Sequence, residues 1–298
     1  MVSLKARRSA GALTVLLVSV LPLMACSGGA GARSAGLASV IHPQRVIAAP
    51  KGLLSAAGAQ PNATIWALAG TAKVKALYEF DLVSGRLLGS VPVSSVARSV
   101  AESPTGLIGV ALGAGNAGAL ELLNSNTAAV TRTVPLGAPA RELVTGSNGA
   151  TFYVLDGTAS SSSVTIVSAV HGQVEGTVPV PLDTVSIAPD TQGTALYALQ
   201  PGGRVSEITV AGGKVTTSFS VGGSGRSLAL SPDGSKLYVL KNVSAADNVA
   251  VVDLATESVH KVLPAASNCR QLLVSANGDQ LYQVVGTAGY GNIQVFPS

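Results

Sequence analysis

Short apolar runs recur along the chain, and most of them follow a tight turn that ends in glycine. The clearest runs are residues 152–155, 196–199, 237–240 and 281–284, with weaker ones at 65–68 and 107–110. Valine is frequent in and around them and favours strands, because its branched side chain fits a pleated surface. No stretch after residue 25 keeps an apolar period of 3.6 residues long enough to predict a helix. The pattern predicts an all-β protein.

The turn glycines reveal an internal repeat. They are Gly106, Gly149, Gly193, Gly234 and Gly278, at steps of 43, 44, 41 and 44 residues. Further runs complete each unit, for example residues 248–254 and 214–221. Four short strands in roughly 40–45 residues is the period of a β-propeller blade. The repeat therefore predicts a β-propeller of four-stranded blades.

The fifth unit carries a family resemblance. Residues 226–239 read Arg-Ser-Leu-Ala-Leu-Ser-Pro-Asp-Gly-Ser-Lys-Leu-Tyr-Val, and residues 249–253 read Val-Ala-Val-Val-Asp. This unit and residues 194–221 resemble the YVTN family of β-propeller repeats. The resemblance covers most of residues 45–298 and is faint in the first two units. It implies a fold and no particular activity, because one fold serves many functions.

The two ends of the repeat array indicate the number of blades. The last unit ends at Phe296 after three strands, residues 44–48 resemble a fourth strand, and residues 51–55 resemble a first strand. We expect the N-terminal strand to complete the last blade and close the ring, which removes exposed sheet edges. This predicts six blades. Seven is the alternative, because seven is commoner among YVTN relatives.

The N-terminus has the pattern of an export signal. Lys5, Arg7 and Arg8 precede an apolar run at 13–24 that is too short for a membrane span. Residues 23–26, Leu-Met-Ala-Cys, resemble a bacterial lipobox, which implies cleavage before Cys26 and a diacylglycerol on its thiol. A plain secretory signal cut near Ala32 is the alternative.

These features predict three segments and a location. Residues 1–25 are a lipoprotein signal peptide, and 26–42 a flexible tether, because residues 27–39 are rich in glycine and serine. Residues 43–298 form the propeller domain. We expect the mature chain to be extracytoplasmic and held at the cell membrane or envelope by its lipid.

The charge and cysteine content narrow the possible partners. After removal of residues 1–25, sixteen lysines and arginines face fifteen aspartates and glutamates. A nucleic-acid binder needs a marked basic excess, so we expect no nucleic-acid partner. With Cys26 lipidated, Cys269 is the only remaining cysteine of the chain and leaves no intramolecular disulfide. We expect a monomer whose partners are the membrane and an unknown protein or small anion.

Several motifs that suggest chemistry have simpler explanations. Residues 113–118, Gly-Ala-Gly-Asn-Ala-Gly, match the dinucleotide fingerprint, but residues 119–123 read as a strand where the fingerprint needs a helix. His42 precedes the predicted ring, and His171 and His260 lie in the outer parts of different predicted blades, so a histidine metal site is not expected. We assign no catalytic residue, no metal and no cofactor.

One set of charged residues recurs at the repeat period, eight residues before the turn glycine. It comprises Arg98, Arg141, Arg226 and Arg270, with Lys51 and Asp183 placed at the aligned positions of the first and fourth units. An apolar collar is expected two residues further on, at Val100, Leu143, Val185, Leu228 and Leu272. The set predicts five cations and one anion at one mouth of the channel.

Two interpretations of this charged set remain open. The residues either pair one blade with the next, or bind an anion or acidic peptide. Glu102, Glu142 and Asp183 are the local counter-ions. The function we predict is a membrane-tethered binding or scaffolding module with its ligand at this mouth.

An enzyme is the alternative function. Related propellers include lactonases and quinoprotein-like dehydrogenases. A metal-dependent lactonase needs carboxylates and amides along the channel, where we expect Glu102 alone.

Overall fold

The structure is a computed structural model that describes residues 42–58, 64–158, 160–243 and 246–298. These residues form strands that assemble into six four-stranded antiparallel sheets. Five of the sheets are formed from four consecutive strands, as the short connections between runs predicted. The prediction of an all-β, six-bladed propeller is confirmed. No helix within the described ranges is long and apolar enough to cross a membrane.

The strands follow the repeat blade by blade. Strand β1 (Arg45–Ala49) belongs to the last blade, and blade one comprises β2 (Leu53–Ala57), β3 (Thr64–Gly70), β4 (Lys75–Asp81) and β5 (Leu87–Val93). Blade two comprises β6 (Ala97–Ser103), β7 (Leu107–Ala114), β8 (Ala117–Asn124) and β9 (Val130–Leu136). Blade three comprises β10 (Ala140–Thr145), β11 (Thr151–Thr158), β12 (Ser161–Ser168) and β13 (Val174–Pro179).

The second half of the chain repeats this order. Blade four comprises β14 (Ser186–Pro189), β15 (Ala195–Leu199), β16 (Arg204–Thr209) and β17 (Val215–Ser220). Blade five comprises β18 (Ser224–Leu230), β19 (Lys236–Val243), β20 (Ala246–Asp253) and β21 (Ser258–Pro264). Blade six comprises β22 (Cys269–Val274), β23 (Gln280–Gly286), β24 (Gly291–Pro297) and β1 (Arg45–Ala49).

Strand β1 is the outermost strand of blade six. It pairs antiparallel with β24, from Arg45 opposite Val295 to Ala49 opposite Gly291. The N–H of Gln44 extends this ladder with a 2.7 Å bond to the carbonyl of Val295. The side chain of Ile47 is fully buried in the apolar layer between blades six and one. The pairing therefore leaves β24 with a partner on both sides.

The core consists of six apolar layers, each between two neighbouring blades. The layer between blades two and three, for example, contains Leu120, Leu143 and Phe152. The layer between blades six and one contains Ile47, Ile65 and Tyr282. Because every blade contributes to two layers, burial of apolar surface joins the blades in a ring.

The turn glycines fix the period of the repeat through their backbone conformation. Gly106, Gly149, Gly193, Gly234 and Gly278 all have φ between +67° and +84°. Each donates its N–H to the carbonyl three residues earlier. A Cβ on Gly149 would lie 2.6 Å from Cδ of Pro104 in the preceding blade. Glycine is needed there both for its positive φ and for the close approach of the preceding blade.

The glycine-rich string at 113–118 is the hairpin between β7 and β8, in which Ala114 pairs with Ala117. A strand follows it, as predicted, and no helix N-terminus is present to receive a pyrophosphate.

Candidate functional site at the two ends of the central channel

The four arginines of the predicted set lie in β-bulges near the start of the inner strands. The ladder shifts register between Ala97 and Ser99, Ala140 and Glu142, Gly225 and Ser227, and Cys269 and Gln271, and an arginine occupies each gap. A bulge leaves one extra residue unpaired and re-aims its side chain. All four side chains are exposed at this end of the inner strands, which we call the arginine end.

The placement of Lys51 and Asp183 in this set is wrong. In blade one the register shifts between Leu53 and Ser55, so Leu54 occupies the arginine position. In blade four the residue that precedes β14 is Val185, eight residues before Gly193. Lys51 and Asp183 instead lie in the turns that lead into these strands. Asp183 precedes Gly193 by ten residues, whereas each arginine precedes its turn glycine by eight.

The apolar collar needs the same correction in blade four. Val185 is 37% exposed at the arginine end, whereas Ile187 is fully buried and occupies the collar position. The other predicted members, Val100, Leu143, Leu228 and Leu272, are buried as expected, and Ala56 holds the position in blade one.

Two of the arginines, Arg141 and Arg270, donate hydrogen bonds to groups of their own blade. Arg141 donates from Nη2 to Oγ of Ser162 at 2.7 Å and to the carbonyl of Asp156 at 3.2 Å. Arg270 donates from Nε to the carbonyl of Gly286 at 2.6 Å. These contacts tie an inner strand to the next hairpin of the same sheet. They are not the blade-to-blade pairs that the first interpretation predicted.

Arg226 forms an ion pair with Asp247 of the same blade, with Nη1 and Oδ1 3.2 Å apart. The Arg226 side chain is 42% exposed, and that of Asp247 is 5% exposed. Asp247 also accepts hydrogen bonds from the amide of Asn242 and from the N–H of Asn268, both at 3.0 Å. The carboxylate is therefore fixed, and one side of the guanidinium faces solvent.

Arg226 and Arg270 line one depression at the arginine end, with a volume of about 420 Å³. Its walls also include Val185, Asn268 and Cys269, so it lies where blades four, five and six meet the channel. We call it the arginine depression. It brings together two of the six residues predicted to bind a ligand.

A ring of hydrogen bonds joins the inner strands immediately beyond the arginines. In each blade one polar side chain accepts the backbone N–H of the following blade's inner strand. The pairs are Ser55 with Val100 (3.3 Å), Ser99 with Leu143 (3.1 Å), Glu142 with Ile187 (2.7 Å), Ser186 with Leu228 (2.9 Å), Ser227 with Leu272 (3.1 Å) and Gln271 with Ala56 (2.8 Å). The six acceptors form what we call the acceptor ring. The ring pairs N–H groups that the inner strand edges would otherwise leave without a partner.

Glu142 is the one carboxylate of the acceptor ring. Its Oε2 accepts the N–H of Ile187, and its Oε1 accepts the hydroxyl of Ser186 at 2.7 Å. Burial raises the pKa of Glu142 from 4.5 to about 7, although these two hydrogen bonds and the charge of Arg141 oppose the shift. Glu142 therefore changes its charge near neutral pH.

A cavity of about 230 Å³ occupies the channel on the other side of the acceptor ring. Inner-strand residues of all six blades line it, which identifies it as the central channel. Ala56, Leu143, Ile187, Leu228 and Leu272 contribute apolar walls.

Two glutamates line this channel cavity, whereas the sequence predicted one. They are Glu102, which is 6% exposed, and Glu142. The cavity extends toward the turns that end the inner strands, at Ser147 and Pro232. The arginine end and the channel cavity therefore differ in charge, and the acceptor ring lies between them.

Other predicted residues lie apart from these sites. Cys26 lies outside the described residues. Burial raises the pKa of the Cys269 thiol to about 12, so this cysteine stays a thiol at neutral pH. Within the described ranges no three histidine, cysteine, aspartate or glutamate residues form a group able to hold a metal ion.

The acceptor ring was missed by the sequence analysis, although it carries a signal. A polar residue follows directly after each arginine position and precedes an apolar residue in every unit. Serine occupies four of the six positions, and glutamate and glutamine occupy the others. A polar residue therefore recurs at the acceptor position of every unit, but no single residue type marks that position in the sequence.

Comparisons with known proteins support the fold. No family model matches the chain, and no curated protein matches its sequence. Among solved structures, hydrazine synthase of Kuenenia stuttgartiensis is similar, with a TM-score of 0.64 and 15% sequence identity. The match covers 82% of this chain and 83% of that chain. At this identity the likeness shows a shared β-propeller fold.

Proposed function

We propose that this protein is a lipid-anchored, extracytoplasmic propeller that acts as a binding or scaffolding module for a small anion or an acidic protein segment. The observation that carries the proposal is the arginine depression, where Arg226 and Arg270 share one recess. We further propose that its repeats are of the YVTN type.

The charge of the depression favours an anionic ligand. Among the described residues that line it, Arg226 and Arg270 are the charged ones, and Asp247 is paired with the first of them. Guanidinium groups bind carboxylates and phosphates in a planar, bidentate manner. The pair with Asp247 orients the guanidinium group of Arg226, and the bond to the carbonyl of Gly286 orients that of Arg270, before a ligand binds.

The experiment is a titration of the whole mature protein with fluorescein-labelled hexaglutamate, followed by fluorescence anisotropy. We expect Arg270→Ala to weaken binding about tenfold, because charged hydrogen bonds are worth roughly 1.5–3 kcal/mol. Raising the salt concentration should weaken wild-type binding more than that of the variant, because ions screen exposed charges.

The matched control is Arg204→Ala. Arg204 is an exposed arginine of β16 that donates a hydrogen bond to the hydroxyl of Ser218. Its substitution removes the same charge as Arg270→Ala, but from a different strand. Equal binding by the Arg270 and Arg204 variants would contradict the proposal. So would the absence of saturable binding to the wild-type protein.

The membrane anchor is tested separately by Cys26→Ala. We expect the variant to leave the membrane fraction or to accumulate as an uncleaved precursor, because the thiol that carries the lipid is gone. Fractionation and intact mass measure both outcomes. Unchanged fractionation together with an unchanged mass would overturn the anchor without affecting the anion site.

A further inference from the structure

The channel cavity has the shape and composition of a small-molecule site. Its volume of about 230 Å³ exceeds by several-fold the roughly 30 Å³ that one water occupies in the liquid. Small-molecule sites are concave and mostly apolar, with a few polar groups that orient the ligand. Here Leu143, Ile187 and Leu228 supply apolar walls, while Gln271 and Ser231 supply polar atoms.

The ionisable groups of the cavity are acidic. Glu102 and Glu142 line it, and none of its described lining residues is a lysine, arginine or histidine. Glu142 lies at the acceptor-ring end of the cavity and Glu102 lies on the inner strand of the preceding blade. A bound cation would be attracted by the carboxylates in surroundings where water screens them less than at the surface.

We propose that the channel cavity binds a small primary ammonium ion with an apolar tail. The ammonium group contacts the carboxylate of Glu142 at the acceptor ring, and the tail lies against the leucine and isoleucine side chains of the walls. This site is separate from the arginine depression, which lies on the opposite side of the acceptor ring and favours the opposite charge.

The hydrogen bonds of Glu142 fix its carboxylate for this role. Ser186 and the N–H of Ile187 each donate to one of its oxygens, so both oxygens are oriented. A carboxylate oxygen accepts more than one hydrogen bond, and the remaining lone pairs are free to accept from an ammonium group. The cavity thus presents a positioned anion at the end of an apolar pocket.

The chain itself supplies a conservative variant for the test. Gln271 occupies the acceptor-ring position of blade six and accepts the N–H of Ala56 at 2.8 Å. Glutamine is therefore compatible with the ring geometry, and Glu142→Gln keeps an acceptor for Ile187 while it removes the charge. Glu175→Gln, on the exposed part of β13, is the matched control.

The experiment is calorimetric titration of the whole protein with 2-phenylethylammonium and, in parallel, with the neutral 2-phenylethanol. We expect the wild-type protein and Glu175→Gln to bind the ammonium compound more tightly than the alcohol. Glu142→Gln should lose at least tenfold in affinity for the ammonium compound and remain unchanged toward the alcohol. Arg270→Ala should leave both affinities unchanged, which separates this site from the anion site.

The pH dependence gives a second measurement. The charged groups near Glu142 are Arg141, adjacent on β10, and Glu102, which lines the same cavity. Ammonium binding should weaken as the pH falls below about 7, where Glu142 gains a proton, and Glu142→Gln should remove this dependence. Equal ammonium affinity in the Glu142 and Glu175 variants, or no saturable binding to the wild-type protein, would overturn the proposal.

Discussion

The two ends of each inner strand are under different constraints. At the start, the inner strands of five blades have a bulge that leaves one side chain unpaired, which is arginine in four of them and Leu54 in blade one. In blade four, Val185 has the same spacing from its turn glycine. At the far end, the turn glycines of blades two to six all have positive φ, and a Cβ on Gly149 or Gly193 would also press against the preceding blade. The comparison teaches that the repeat allows variation where a side chain faces solvent and restricts it where the backbone itself requires glycine.

The largest expected effect comes from weakening β1, because this strand completes blade six and buries Ile47 between blades six and one. Ile47→Ala in β1 should lower the free energy of unfolding by about 2–5 kcal/mol, the usual cost of truncating a buried isoleucine. Chemical denaturation measures the change. Deletion of residues 40–50 should go further and expose the edge of β24, which favours aggregation.

The control for this variant is on the same strand. Val46 is 52% exposed, so Val46→Ala should change stability by less than about 0.5 kcal/mol. If the protein that lacks residues 40–50 were as soluble and stable as the parent, β1 would not be needed to protect the edge of β24.

The next largest effect is the pH dependence of stability caused by Glu142, which tests the acidic character of the channel cavity. The pKa of Glu142 is raised from 4.5 to about 7, so the folded protein holds a proton there that the unfolded chain has lost. The stability contributed by this group is present below pH 4.5 and falls as the pH rises to about 7. Arg141 and Glu102 are the charged groups near it.

Glu142→Gln should remove this dependence on pH. Relative to wild type, the variant should gain about 3 kcal/mol between pH 4 and pH 8, since one pKa unit corresponds to roughly 1.4 kcal/mol. Urea unfolding at several pH values measures the gain. A constant difference between the two proteins would show that Glu142 does not titrate in this window.

The smallest effect tests whether the ion pair between Arg226 and Asp247, both in blade five, stabilises the fold at the arginine end. Arg226→Ala should lower the free energy of unfolding by about 1–2 kcal/mol, because the nearly buried Asp247 loses a partner. Arg226→Ala combined with Asp247→Asn should cost less than the sum of the single changes. Strict additivity in this double-mutant cycle would contradict the pairing.

The fold was predictable because its determinants are local. A turn glycine at positive φ recurs in the inner hairpins of blades two to six, so the period of about 43 residues is visible in Gly106 and Gly149. The four arginines were found for the same reason, by their distance from these glycines. Lys51 and Asp183 were misplaced because charge was given more weight than that distance.

The acceptor ring was not predictable in the same way. Its bonds join residues such as Ser99 and Leu143, which are 44 positions apart. Serine, glutamate and glutamine serve equally as acceptors, so no single residue type marks the ring. The channel cavity depends on the distance between blades, and Glu142 could be placed in it only once that distance was known.

The acceptor ring also bears on how such a ring can change size. Each unit contributes one acceptor for the unit that follows and one N–H for the unit that precedes it, a head-to-tail contact of the kind that closes only when the last member meets the first. Here the N–H of Ala56 in blade one donates to Gln271 in blade six, which joins the last unit to the first. A duplicated whole unit would bring both a donor and an acceptor and leave every bond satisfied. A gain or loss of part of a unit would leave one N–H of the channel wall without a partner, so growth by whole blades is the path that the hydrogen bonds permit.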